Sequence, residues 1–226
     1  MADLNFKIAA ISLLGGIVPA LLWLWFWLRE DTEKPEPKGL LLLTFLIGMV
    51  SVFVVLPIEN FFDKIIFDDR LLTIVWAAVE EIVKYSAVLF VALKSSSADE
   101  PVDFAIYLIT GALGFAAMEN ALFLIDPVAV GDATVSLLTG NFRFLGAMLL
   151  HAISSGIIGI ALGLSFYQHW FLKKVFLGFG ILGAITLHAT FNFLIINSDK
   201  GLFSVFSLLW GVTIIILLLF EQLRKM

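Results

Sequence analysis

The chain has 226 residues, 61% hydrophobic and 15% charged, with a formal net charge of −5 and a mean hydropathy of +1.03. Soluble domains run about half apolar and about a quarter charged, so this composition belongs to a membrane protein. Cysteine is absent, which excludes thiol catalysis, thiolate metal sites and disulfides, and no basic cluster offers a footprint for nucleic acid.

Crossing a bilayer takes about 20 mostly apolar residues. Runs of roughly that length cover 8–28, 39–57, 71–93, 102–125, 142–166, 175–196 and 202–220. They predict an all-α polytopic transmembrane bundle of about seven spans, with eight open, folded as one integral-membrane domain over 1–226. A β-barrel would show short alternating segments instead. The first run is too long for a cleaved signal and lacks a small-x-small site.

Residues 29–38, REDTEKPEPK, read as a charged loop, because Pro35 and Pro37 favour extended chain. Residues 58–70 mix aromatic and charged side chains, and read either as a segment lying along the membrane surface or as a plain loop. With seven spans, one side collects Arg29, Lys34, Lys38, Lys94, Lys173, Lys174, Arg224 and Lys225. The other collects Lys7, Lys64, Arg70, Arg143 and Lys200. The excess predicts the first side as cytoplasmic, with the N-terminus outside and the C-terminus inside.

Few ionisable residues lie deep in apolar runs: Glu80, Glu81, Lys84, Glu119, His151 and His188. A charge at the bilayer centre costs about 2.5–3.5 kcal/mol even on gentle scales, so such residues imply function or mutual pairing. Lys84 stands four residues after Glu80 and three after Glu81, which suits a charge partner. Glu81 points roughly 100° away from Glu80 around a helix, so the two have different roles. Counted at about 1.5 Å per residue, Glu80 and His151 lie roughly 15 Å from one side, and Glu119 and His188 roughly 20–25 Å from the other. Four helices bring polar groups to similar levels, which predicts one shared, water-accessible site.

His188 and Asn192 share a helix face, as do His151 and Ser155. Ser155 also suits simple interhelical hydrogen bonding. Asn120 points elsewhere than Glu119 and stays unassigned, and His169 reads as an interfacial residue beside Trp170.

Carboxylates with two histidines suit water activation: a Glu takes a proton while donors stabilise the oxyanion. Alternatively, two His and one Glu hold a divalent metal such as zinc, with a second Glu as base. The spacing is not HExxH, so ligands would come from separate helices, and the sequence leaves both schemes open. A serine nucleophile is weakly supported, since GxSxG is absent.

EEIVK at 80–84, GFAAMEN at 114–120, HAISSGIIG at 151–159 and HATFN at 188–192 resemble the PrsW family of intramembrane proteases, within the superfamily of CAAX prenyl proteases and bacteriocin-processing enzymes. The resemblance implies a multi-pass peptidase of a prokaryotic plasma membrane that cuts a single-span membrane protein. By that likeness the target is an anti-sigma factor, cut at site 1 in a stress response. It implies Glu80, Glu81, Glu119, His151, His188 and Asn192 as the catalytic set. Within that set Glu80 is the base, His188 with Asn192 contact an oxyanion or metal, and His151 assists. The superfamily's EExxxR is EExxK here, and Glu119 replaces a His of the CAAX enzymes, which leaves Glu119 as base, ligand or structural partner. A proton-coupled carrier and a non-catalytic membrane scaffold are the alternative readings.

Overall fold

A computed structural model describes residues 6–29, 34–131, 143–196 and 202–226. Residues 30–33 of the charged loop, and Lys200 of the charge count, lie outside them. Seven helices are described: α1 Phe6–Leu28, α2 Lys38–Asp63, α3 Asp69–Val88, α4 Asp103–Val130, α5 Met148–Leu164, α6 Trp170–Ile196 and α7 Leu202–Arg224. No strand and no eighth span occur among the described residues. Two π-helical turns, Leu89–Leu93 and Arg143–Ala147, extend α3 and lead into α5.

Six of the helices are long and apolar enough to cross a membrane. The exception is α3, which carries Asp69, Arg70, Glu80, Glu81 and Lys84. Its apolar residues cannot face lipid all round, and Glu80, Glu81 and Lys84 are turned into the bundle and buried. Asp68 caps α3, its carboxylate accepting from the Leu71 amide at 2.8 Å.

The central helix is α4. It is apolar on every face and buried along most of its length, as expected of a helix enclosed by others. Helices α1, α2 and α5 pack around it, while α3 packs on α2 and α6, and α6 on α5. The α2–α4 crossing is close because it is made by glycines. A Cβ on Gly48 would collide with the Gly111 carbonyl, and one on Gly114 with the Phe45 carbonyl.

The stretch 58–70 is not a separate element: helix α2 runs on to Asp63 and α3 begins at Asp69. Pro57 sits inside α2. A proline there removes a single backbone donor, which neighbouring groups in a bundle can offset. The charged loop is anchored at its far end, where buried Glu36 accepts from the Tyr107 hydroxyl of α4 and Lys34 pairs with Glu100.

Candidate functional site

Four helices each contribute to one polar cluster. From α3 come Glu80, Glu81 and Lys84, from α4 Glu119, from α5 His151, Ser154 and Ser155, and from α6 His188 and Asn192. Helical spacing explains the local part. Glu81 and Lys84 lie one turn apart, so Lys84 Nζ reaches Glu81 Oε1 at 2.6 Å and stands 3.8 Å from Glu80 Oε2.

Glu81 is wholly buried and is the hub. Its Oε1 accepts from Lys84 Nζ, from Ser154 Oγ at 2.9 Å and from His188 Nδ1 at 2.8 Å, and its Oε2 from Ser155 Oγ at 3.2 Å. An ionised carboxylate only accepts, so His188 carries its proton on Nδ1 and Nε2 keeps a lone pair. The same logic fixes His151. Lys84 Nζ lies 2.9 Å from His151 Nδ1, and an ammonium only donates. The proton is then on Nε2, directed at Glu119 Oε2 at 3.1 Å. The Lys84 ammonium also rests over the Phe115 ring at 4.9 Å.

The two inward nitrogens face Glu80: His188 Nε2, whose lone pair is free, and His151 Nδ1, whose lone pair accepts from Lys84. Glu80 Oε2 stands 3.8 Å from His151 Nδ1 and 3.9 Å from His188 Nε2. It is buried and has no hydrogen-bond partner among the described residues. The imidazole rings lie edge to face with centroids 5.2 Å apart. One donor atom from each of Glu80, His151 and His188 fits within a 4.8 Å circle.

This donor set fits a divalent metal. Two imidazoles and a carboxylate are a recurrent catalytic zinc set, and ligands about 2.1 Å from such an ion stand about 3.4 Å apart. Each imidazole is also backed by a carboxylate on its outer nitrogen, Glu119 for His151 and Glu81 for His188, the arrangement that orients metal-binding histidines. Lys84 is the competing feature, because it shares the inward nitrogen of His151.

The cluster forms the floor of a cavity of about 370 Å³. Glu80, Glu119, His151, His188 and Asn192 line it, with apolar walls that include Phe115, Leu122, Phe123 and Ile195. Glu81, Ser155 and Asn120 are buried outside that lining. Ser155 donates to Glu81 and not to a histidine, and His169 lies exposed beside Trp170.

Sequence reasoning missed Ser154, Trp76 and Glu59. Glu59 lines the cavity from α2, one turn or two along from Val52, Val55 and Leu56. That 52, 55, 56, 59 series is a helix face. It was hidden because the apolar run was closed at Pro57.

A family profile described as PrsW family intramembrane metalloprotease matches residues 36–220. Among curated proteins, the chain is 29% identical over 224 residues to Protease PrsW of Halalkalibacterium halodurans, covering 94% of this chain and 98% of that one. It is 30% identical over 200 residues to Protease PrsW of Oceanobacillus iheyensis, covering 86% and 85%. Against Protease PrsW of Geobacillus kaustophilus it is 26% identical over 192 residues, covering 82% and 80%. No solved structure matches the chain.

Proposed function

Because this chain belongs to the PrsW family of intramembrane metalloproteases, we propose that Glu80, His151 and His188 hold a divalent metal and that Glu119 serves as the base. Membership makes the chain a multi-pass intramembrane peptidase and sets aside the carrier and scaffold readings. The observation that carries the assignment is the convergence of two carboxylate-backed imidazoles on the unpartnered Glu80 Oε2 at a cavity floor.

When bound, an ion such as zinc polarises the scissile carbonyl and eases ionisation of water. The residues of the chain do the rest. Glu119 is more open than Glu80, with side chains 22% and 10% exposed. It takes the proton of the attacking water and returns it to the leaving amine nitrogen. That moves the base from Glu80, where the resemblance put it, to Glu119. Asn192 lines the same cavity and offers an amide donor to the oxyanion. Glu81 holds His188 in the tautomer that leaves Nε2 free. The apolar walls accept a membrane-spanning segment and keep bulk water out.

The substrate is a single-span membrane protein, by family likeness an anti-sigma factor. The excess of Lys and Arg supports an orientation with the N-terminus outside and the C-terminus in the cytoplasm.

The test is cleavage of a single-span substrate in liposomes by wild type, Glu80→Gln, His188→Ala and Glu119→Gln, with bound metal counted by mass spectrometry. Loss of metal in the first two, and loss of turnover in the third even at saturating metal, is expected. Metal retained in Glu80→Gln and His188→Ala would refute the ligand set.

A further inference from the structure

Glu59 is the one carboxylate lining the cavity that the chemistry above leaves without a task. It is half-buried, and no described residue gives it a hydrogen bond or an ion pair. A second cavity, of about 270 Å³, is lined by Leu56, Glu59, Asn60, Asp63 and Trp76. It shares Leu56, Glu59 and Trp76 with the first. The two therefore meet at Glu59, and Asn60 and Asp63 are exposed at the outer one. Side by side, the two cavities mark a path from the end of α2 toward Glu80.

The charge along that path is of one sign. Asp63, Glu59, Glu119 and Glu80 line it, and among the described residues no lysine or arginine does. Glu59 lies within electrostatic reach of Glu119, which repels it, and of Lys84, which attracts it but is held by Glu81 at 2.6 Å. A half-buried carboxylate beside another is relieved either by a proton or by a cation that enters the cavity. Trp76 lines both cavities with a buried Nε1 that has no partner among the described residues, and an indole ring can carry a cation on its face. The metal centre does not meet this need, because its donors are Glu80, His151 and His188.

We propose that Glu59 selects substrates bearing a lysine or arginine side chain close to the scissile bond, with Asp63 drawing that side chain into the path. This rests on the cavity being the peptidase site. The basic side chain enters past Asp63, lies along Trp76 and pairs with Glu59, while the peptide bond reaches the cavity floor. Steering by exposed Asp63 acts on encounter and is screened by salt, whereas the pairing at half-buried Glu59 acts on residence.

The experiment uses the full chain in liposomes and a set of single-span substrates. These differ by Lys, Leu or Glu at each position flanking the cut, and kcat/KM is read for each. Wild type is expected to favour Lys over Glu by about tenfold or more at one position. Glu59→Gln compresses that ratio to within about threefold, and Glu59→Lys inverts it. Asp63→Asn lowers the preference only at low salt.

A flat wild-type profile overturns the proposal, as does a Lys preference that survives Glu59→Lys. If Glu59→Gln stays folded and metal-loaded but cuts no substrate, Glu59 belongs to the chemistry and is not a selector. Failure of the wild type to cut any substrate would count against the peptidase site itself, and the proposal would fall with it.

Discussion

Removing the Glu81 charge should destabilise the protein, and removing Lys84 with it should restore much of the loss. Glu81 is fully buried, Lys84 is 1% exposed, and they are 2.6 Å apart. Breaking a buried pair from one side leaves an uncompensated charge and costs about 3–5 kcal/mol, while replacing both partners is often close to neutral. On the scale of globular chains this size, that cost lowers Tm by about 6–20 °C. Glu81→Gln keeps an acceptor for Ser154 and His188, so the lost charge is the main perturbation. Glu81→Gln/Lys84→Met should recover more than half of the shift, as read by thermal unfolding in detergent. The single variant Glu81→Gln should bind metal about 10–100-fold more weakly, because His188 Nδ1 has lost its carboxylate. A double variant as unstable as the sum of the two singles would refute the pairing argument. Unchanged metal affinity would refute the role of Glu81 in orienting His188.

Glu119→Gln should lower kcat about 10²–10⁴-fold at saturating metal, with substrate still captured in a pull-down. Lys84→Met should tighten metal binding in a chelator competition, since the ammonium no longer shares His151 Nδ1; weaker binding would show that Lys84 supports the site. Gly48→Val should abolish folded protein in a size-exclusion assay, because its side chain meets the Gly111 carbonyl. Gly178→Val, with nothing within 4 Å of the added Cβ, should remain folded, and loss of both would point to a general intolerance of branching. Tyr107→Phe removes a donor to buried Glu36 and should cost about 1–3 kcal/mol in thermal unfolding while cleavage persists. A matching loss of cleavage would tie the charged loop to the active site.

Much of the architecture was legible because apolar length is a strong signal in a membrane chain. The runs at 8–28 and 202–220 became α1 and α7 with small changes at their ends. Boundaries failed where a helix continues past its apolar part. Helix α2 runs through Pro57 to Asp63, carrying Glu59 into the cavity when the sequence suggested a loop or a surface segment. The pairing of Lys84 was legible too, since residues three and four apart on one helix must meet. Ser155 was legible in kind, since the sequence suits an interhelical hydrogen bond, but only packing against α3 supplied Glu81 as the partner.

The amino-acid order by itself determined that the chain is an all-helical membrane bundle. It also marked which few polar residues lie at mid-depth, because burial in an apolar run is visible without coordinates. The helical period further dictated that Glu80 and Glu81 point in different directions. Only the tertiary structure decided which of them faces the cavity and which becomes the buried hub. The same holds for the carboxylate behind each imidazole, and for Glu59 sharing the cavity with Glu119. The physical reason is that 3.6 residues per turn sets angles within one helix, whereas the rotation of one helix against another comes from packing, here from glycine contacts between α2 and α4 and the close seating of both against their neighbours.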